Sequence, residues 1–280
     1  MRKSMGEYQL SIGKIMTIVT NIVSILSWLG IPASIFMVYI SKSKWWALLI
    51  VICVCVVTTI RIARANARYV VAFIMNLIAP STPYKLKEWR VNYEYLSSED
   101  MCFWAEYTVK AKQIGVNHIH VRYNWSGESK DHRVKPEPIK GSSFDTNRIE
   151  YVGKEYGYSY YKIFSDREHN KRDKPFKLGA RIRMHKEKDQ EISHHLLTSI
   201  SMVADVLIMR VILPPDIYPE QIRKVEFAHS SDFFHWHSEE NVQAERDEKT
   251  NKWIIEWRVK PIYGGKYIID WKPVNLLKKT

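Results

Sequence analysis

The chain has 280 residues, 46% of them hydrophobic, with 42 Lys and Arg against 30 Asp and Glu and a formal net charge of +12. That hydrophobic content excludes a disordered chain, and only three cysteines exclude a disulfide framework. The charge is uneven: residues 1–80 carry eight cations and one acid (+7), residues 81–280 carry 34 and 29 (+5). The second part is mildly basic, so charge alone does not make it a nucleic-acid binder.

Residues 15–40 contain no charge, and after a four-residue link residues 45–60 contain none either. About 20 apolar residues suffice for a helix to cross a ~30 Å hydrocarbon layer. The pattern predicts a membrane α-helical hairpin of two transmembrane helices. The first run is too long for a signal core and lacks a cleavage pattern, so an uncleaved anchor is expected. Arg2, Lys3 and Lys14 precede it, and Arg61, Arg64 and Arg68 follow the second run. By the positive-inside rule a multi-pass inner-membrane protein with both termini cytoplasmic is expected.

Thr17, Thr20, Asn21, Ser24, Ser27 and Ser34 fall on one face of the first helix, within roughly 140° at ~100° per residue. Such a face packs helices together in lipid or, repeated around an oligomer, lines a pore. Both readings stay open, and in the second Thr17, Asn21 and Ser24 are the lining residues. Arg61, Arg64 and Arg68, spaced three and four apart, form a stripe suited to anionic headgroups of membrane lipid. An apolar run at 69–79 extends the helix into the cytoplasm, and Pro80 and Pro83 end it. The domain boundary is therefore placed between residues 80 and 81.

Beyond Pro83 the period changes from 3.6 to 2. Alternation predicts strands over 89–95, 103–111, 116–125, 158–164 and 176–184. Residues 126–147 read as a long polar loop. The stretch 196–213 is apolar on both faces and reads as one long strand or a bent pair, stopped by Pro214 and Pro215. Short strands follow at 224–229, 252–260 and 266–271. About eight strands without an amphipathic helix predict an all-β cytoplasmic domain at 81–280, a barrel or a sandwich.

No Gly-rich phosphate loop, G-x-S-x-G, HExxH or CxxC pattern occurs, so the chain reads as a non-enzyme without a cofactor. His118-x-His120 and His235-x-His237 each place two imidazoles on one strand face. Zinc needs three or four converging ligands, and with ten histidines in the chain chance pairs account for both, so no metal site is assigned. The strongest binding candidate is the basic face of 176–184, where Lys177, Arg181, Arg183 and His185 point one way. Arginine forks match phosphate, although a solvated sheet face has the same pattern. Tyr156, Tyr158, Tyr160 and Tyr161 could stack bases, and His120, Arg122 and Asn124 join them if the two strands are neighbours.

Two N-terminal spans followed by a β-rich domain resemble the two-transmembrane, β-strand-rich membrane effectors of bacterial antiphage defence signalled by nucleotides. The resemblance covers the architecture of the whole chain and rests on no motif, so it carries over no site residue. It implies an oligomeric inner-membrane effector or ion channel, a homo-oligomer such as a tetramer. Its control would come from a cyclic or linear oligonucleotide, single-stranded where linear, made by a nucleotidyltransferase in the same pathway. The binding set then reads Lys177, Arg181, Arg183, His185, Arg122 and Tyr160. The competing reading is a membrane-tethered protein-interaction module whose anchor does not conduct.

Overall fold

The computed structural model describes residues 52–53, 55–59, 67–97, 100–123, 136–139, 141–155, 158–185, 194–229 and 235–275. The chain divides into two compact units, Met1–Ile78 with Phe227–His237, and Ala79–Glu226 with Ser238–Thr280. In the first, residues 55–59 are helical and α1 runs over Ala67–Ile78. The stripe Val71 and Met75 is buried, while Tyr69, Phe73 and Leu77 are exposed.

Among the described residues no helix is long and apolar enough to cross a membrane. Helix α1 has 12 residues, about 18 Å at 1.5 Å per residue, well short of ~30 Å. The expected transmembrane hairpin is corrected on that ground. The inner-membrane, multi-pass placement with cytoplasmic termini and the ion channel fall with it. The first run, most of the second, and the named residues Thr17, Asn21, Ser24, Arg61 and Arg64 lie outside the described residues, while Arg68 sits in the first turn of α1.

The second unit is built from strands. Its seven-stranded sheet contains β1 (Tyr84–Tyr95), β2 (Asp100–Ala111), β4 (Glu137–Pro138), β7 (Phe176–His185), β9 (Leu207–Leu213), β12 (Glu245–Arg246) and β13 (Trp253–Val259), in the order β12-β13-β9-β1-β2-β7-β4. A three-stranded sheet of β3 (Val116–Tyr123), β5 (Thr146–Glu155) and β6 (Tyr158–His169) has the order β3-β6-β5. A four-stranded sheet holds β8 (His195–Ser199), β10 (Ile217–His229), β11 (His235–Val242) and β14 (Lys266–Asn275), in the order β11-β10-β14-β8, the end of β10 and the start of β11 being grouped with the first unit. Every sheet ends in edge strands, so the sheets are open and the expected barrel is corrected too.

The large sheet packs its inner face on both small ones. Tyr107 of β2 meets Tyr123 of β3, their hydroxyls 3.3 Å apart, and Tyr123 also takes Phe103 edge-on. The Tyr84 hydroxyl of β1 accepts the His120 amide at 3.0 Å. On the other side Tyr93 and Tyr95 pack on Trp271 of β14, and Trp257 of β13 packs on Tyr267. These long aromatics bridge the layers and bring hydroxyls that find one another, which removes the cost of burying an unpaired donor. Burial raises the pKa of Tyr84, and holds those of Tyr107 and Tyr123 far above the ordinary phenol value.

The apolar stretch 196–213 divides between sheets: β8 belongs to the four-stranded sheet and β9 pairs β1 in parallel, with Trp89 opposite Leu207 and Tyr93 opposite Val211. Strand β9 is central: Leu207, Met209, Val211 and Leu213 on one face are fully buried, while the other face carries Ile208 and Ile212 beside Arg210, so the sequence is apolar on both faces although only one is sealed in the core.

Candidate nucleotide-binding face

Strand β7 carries the predicted basic face, and there the neighbours decide what the charges can do. Lys177, Arg181 and Arg183 are exposed, opposite Thr108, Trp104 and Cys102 of β2. Arg181 is paired with Glu137 of β4 at 3.4 Å. Between Lys177 and Arg181 the strand is covered: a Cβ added at Gly179 would lie 2.8 Å from Ile139 Cδ1 and 2.9 Å from Phe144 Cε1. His185 ends the strand opposite Asp100, and its side chain lies outside the described residues. Farther across the same face Arg90 meets Glu88 at 3.1 Å, Lys252 meets Glu94 at 2.6 Å, and Arg210 is held by Glu256. Of the three β7 cations Arg181 is thus held by a carboxylate, as are the cations on the neighbouring strands of this face.

The three-stranded sheet gathers a different set. Strand β3 pairs β6 antiparallel, with His118 opposite Phe164, His120 opposite Lys162 and Arg122 opposite Tyr160. On the far side of β6, Arg148 of β5 lies opposite Phe164 and Glu150 opposite Lys162. Since alternate residues share a face, His118, His120, Arg122, Tyr160, Lys162, Phe164 and Arg148 form one outer surface. Their opposite numbers Ile119, Val121, Tyr161 and Ile163 are buried in the core.

The rings and cations on this surface are interleaved. The Arg148 guanidinium sits 4.1 Å over the Phe164 ring, and that of Arg122 sits 4.7 Å over Tyr158. The His118 ring lies 5.2 Å from Phe164 at 35°, and 5.0 Å from His120 at 68°. Arg122 Nε is shielded from solvent without a hydrogen-bond partner among the described residues. Arg148 meets the Glu150 carboxylate at 2.9 Å, and Glu155 lies opposite Tyr158 on the same sheet. Burial, with Lys162 alongside, lowers the pKa of both His118 and His120 from the ordinary imidazole value, and the two rings oppose each other's charge at His118. Near neutral pH these rings are therefore stacking and hydrogen-bonding groups rather than cations.

Of the residues singled out in the sequence, Arg122 and Tyr160 meet on this face, and Lys177, Arg181 and Arg183 stand apart on another sheet. Tyr161 points into the core, and Tyr156 and Asn124 lie outside the described residues. Sequence reading missed Lys162, Phe164 and Arg148. The first two alternate in phase with Tyr160 on a recognised strand; Arg148 lies on β5, whose mostly exposed residues give no alternation. The His118 and His120 pair has no third ligand group near it among the described residues. Elsewhere a cavity of about 860 Å³ is walled by His194, Gln221, Arg223, Glu239, Asp270 and Trp271. Its Arg223 is already held between Asp270 and Glu239.

No family model matches the chain, and no curated protein does. Among solved structures, a zinc metallopeptidase of the M1 class from Deinococcus radiodurans is similar at TM-score 0.36 and 9% identity, over 67% of this chain and 42% of that one. A putative protease from Parabacteroides distasonis is similar at TM-score 0.39 and 6% identity, over 69% and 41%. The chain thus spans about two-fifths of the length of these proteins. At such scores the likeness carries no argument about fold or activity.

Proposed function

We propose that the strand-rich unit binds a nucleotide-type ligand, a short single-stranded oligonucleotide, on the outer face of the three-stranded sheet. The observation that supports this is the register of β3 on β6, which sets Arg122 beside Tyr160 and His120 beside Lys162, with Arg148 over Phe164. Tyr160, Lys162 and Phe164 recur every second residue, about 7 Å apart, so a strand lying along β6 meets ring, cation and ring in turn. Base stacking on aromatic rings is worth ~1–3 kcal/mol per base and tolerates any sequence, while guanidinium groups take phosphates or stack on bases.

The test is fluorescence anisotropy of short labelled single-stranded RNA and DNA on the full-length chain. Arg122→Glu with Lys162→Glu should weaken binding at least ~10-fold, since each lost charge contact and stack is worth about a kcal/mol or more. Arg181→Glu with Arg183→Glu should change it little. The opposite pattern, or no binding by the unmodified chain, refutes the reading. A protein-interaction module is the second reading, favoured by one observation: Tyr151 and Val152, exposed at 61% and 55%, lie on β5, the terminal strand of that sheet. Loss of partner capture on Tyr151→Asp with oligonucleotide binding intact would support it.

A further inference from the structure

We propose that Asp145, Asp166 and His169 form a binding site for a divalent transition-metal cation. The three come from two segments: Asp145 immediately precedes β5, and Asp166 and His169 lie at the end of β6. One ligand atom from each lies within 4.8 Å of the others. The backbone fixes the segments together, with the Asp166 amide donating to the Asp145 carbonyl and the Asp145 amide to the Lys177 carbonyl, each at 2.8 Å.

His169 makes this more than a pair of surface carboxylates. Its side chain is 1% exposed, and its ring lies parallel to Phe176, centroids 3.6 Å apart at 4°. An apolar ring would pack there without the cost of desolvating two nitrogens. Its Nε2 is 2.8 Å from the Ser165 hydroxyl, which in turn is 3.3 Å from Asp166 Oδ1. The hydroxyl thus ties imidazole to carboxylate and orients both, the part outer partners play at metal centres. Metal bonds of ~2.0–2.2 Å set the ligand atoms of one tetrahedral ion about 3.4 Å apart, so the three groups close on an ion by side-chain shifts of about an ångström, the exposed Asp166 moving most freely. Two carboxylates balance the charge of a divalent cation, and the imidazole favours transition metals over Mg²⁺ and Ca²⁺. The exposed Asp166 opens the site to solvent, and Asp145 also lines a neighbouring cavity of about 280 Å³ with Arg167, Glu168, Asp173 and Phe176. The proposal does not depend on the oligonucleotide reading.

The experiment is calorimetric titration of the chelator-treated full-length chain with Zn²⁺, Mn²⁺ and, as a control, Mg²⁺. One equivalent of Zn²⁺ or Mn²⁺ should bind per chain, with Mg²⁺ at least ~10-fold weaker. Asp166→Asn, at an exposed position, should weaken transition-metal binding at least ~10-fold with an unchanged circular dichroism spectrum. His169→Gln should abolish it, with Asp166→Asn standing as the decisive variant if His169→Gln does not fold. Binding by Asp166→Asn equal to that of the unmodified chain would move the metal to other histidines and overturn the proposal. Absence of uptake at millimolar Zn²⁺ and Mn²⁺ would overturn it as well.

Discussion

Replacing Gly179 by alanine tests the account of why β7 is not the anion site. Its Cβ would stand 2.8 Å from Ile139 Cδ1, 2.9 Å from Phe144 Cε1 and 3.0 Å from Ile139 Cβ. Overpacking on that scale costs ~1–3 kcal/mol, offset by the ~0.5–1 kcal/mol that alanine gains over glycine in a strand. The net loss is about 0–2.5 kcal/mol. For a unit of this size that is up to ~10 °C in melting temperature, at ~2–4 °C per kcal/mol. Calorimetry or thermal circular dichroism on the full-length chain reads it directly. Phe144→Ala empties space into which the Ile139 side chain can swing, so Gly179→Ala should cost less in that background, a coupling of ~0.5 kcal/mol or more. If Gly179→Ala raises the melting temperature, or the two substitutions simply add, Ile139 and Phe144 do not seal β7 and the basic strand returns as the anion site.

Other outcomes follow from the same geometry. Single-strand binding loses about 0.7 in log–log salt slope per phosphate contact, so Arg122 and Lys162 predict a slope of about −1.4, Arg148 being held by Glu150. Lys162→Ala should make it shallower by ~0.7 in an anisotropy series across salt. His118 and His120 have lowered pKa values in the fold, so the unfolded chain takes up protons first as pH falls. Their contribution is complete above the ordinary imidazole value of 6.5 and is lost as pH drops through it toward the lowered folded values. Urea midpoints should fall between pH 7.5 and 5.5, less so in His118→Gln with His120→Gln. Oligonucleotide affinity should move the opposite way and rise on acidification, because protonated rings add positive charge to the face. Leu178 is fully buried in β7, and Leu178→Ala should cost ~2–5 kcal/mol by denaturant titration.

Particular elements show how far the amino-acid sequence reaches. Alternation alone located β7, since Phe176, Leu178, Ala180 and Ile182 are buried while Lys177, Arg181 and Arg183 are exposed. It located β3 by the same rule. It failed on β5, most of whose residues are exposed, because an edge strand with solvent on several sides needs no period. It left 196–213 open between one strand and a bent pair, because Leu197, Ile208 and Ile212 place apolar side chains on the outer faces of β8 and β9 and leave no mark at their boundary. Length of an apolar run gave the expectation of two spans, yet among the described residues the helices are short.

Local residue choice, then, determined which side of a strand is greasy and which is charged, because the backbone pleat forces side chains to opposite faces every residue. Which strand lies beside which was decided only by the tertiary structure. His120 and Lys162 are 42 positions apart, and Asp145 and His169 are 24; no local period encodes such pairings. They arise because burying Tyr107 against Tyr123 fixes how the layers stack, and that packing chooses the register from which both candidate sites emerge.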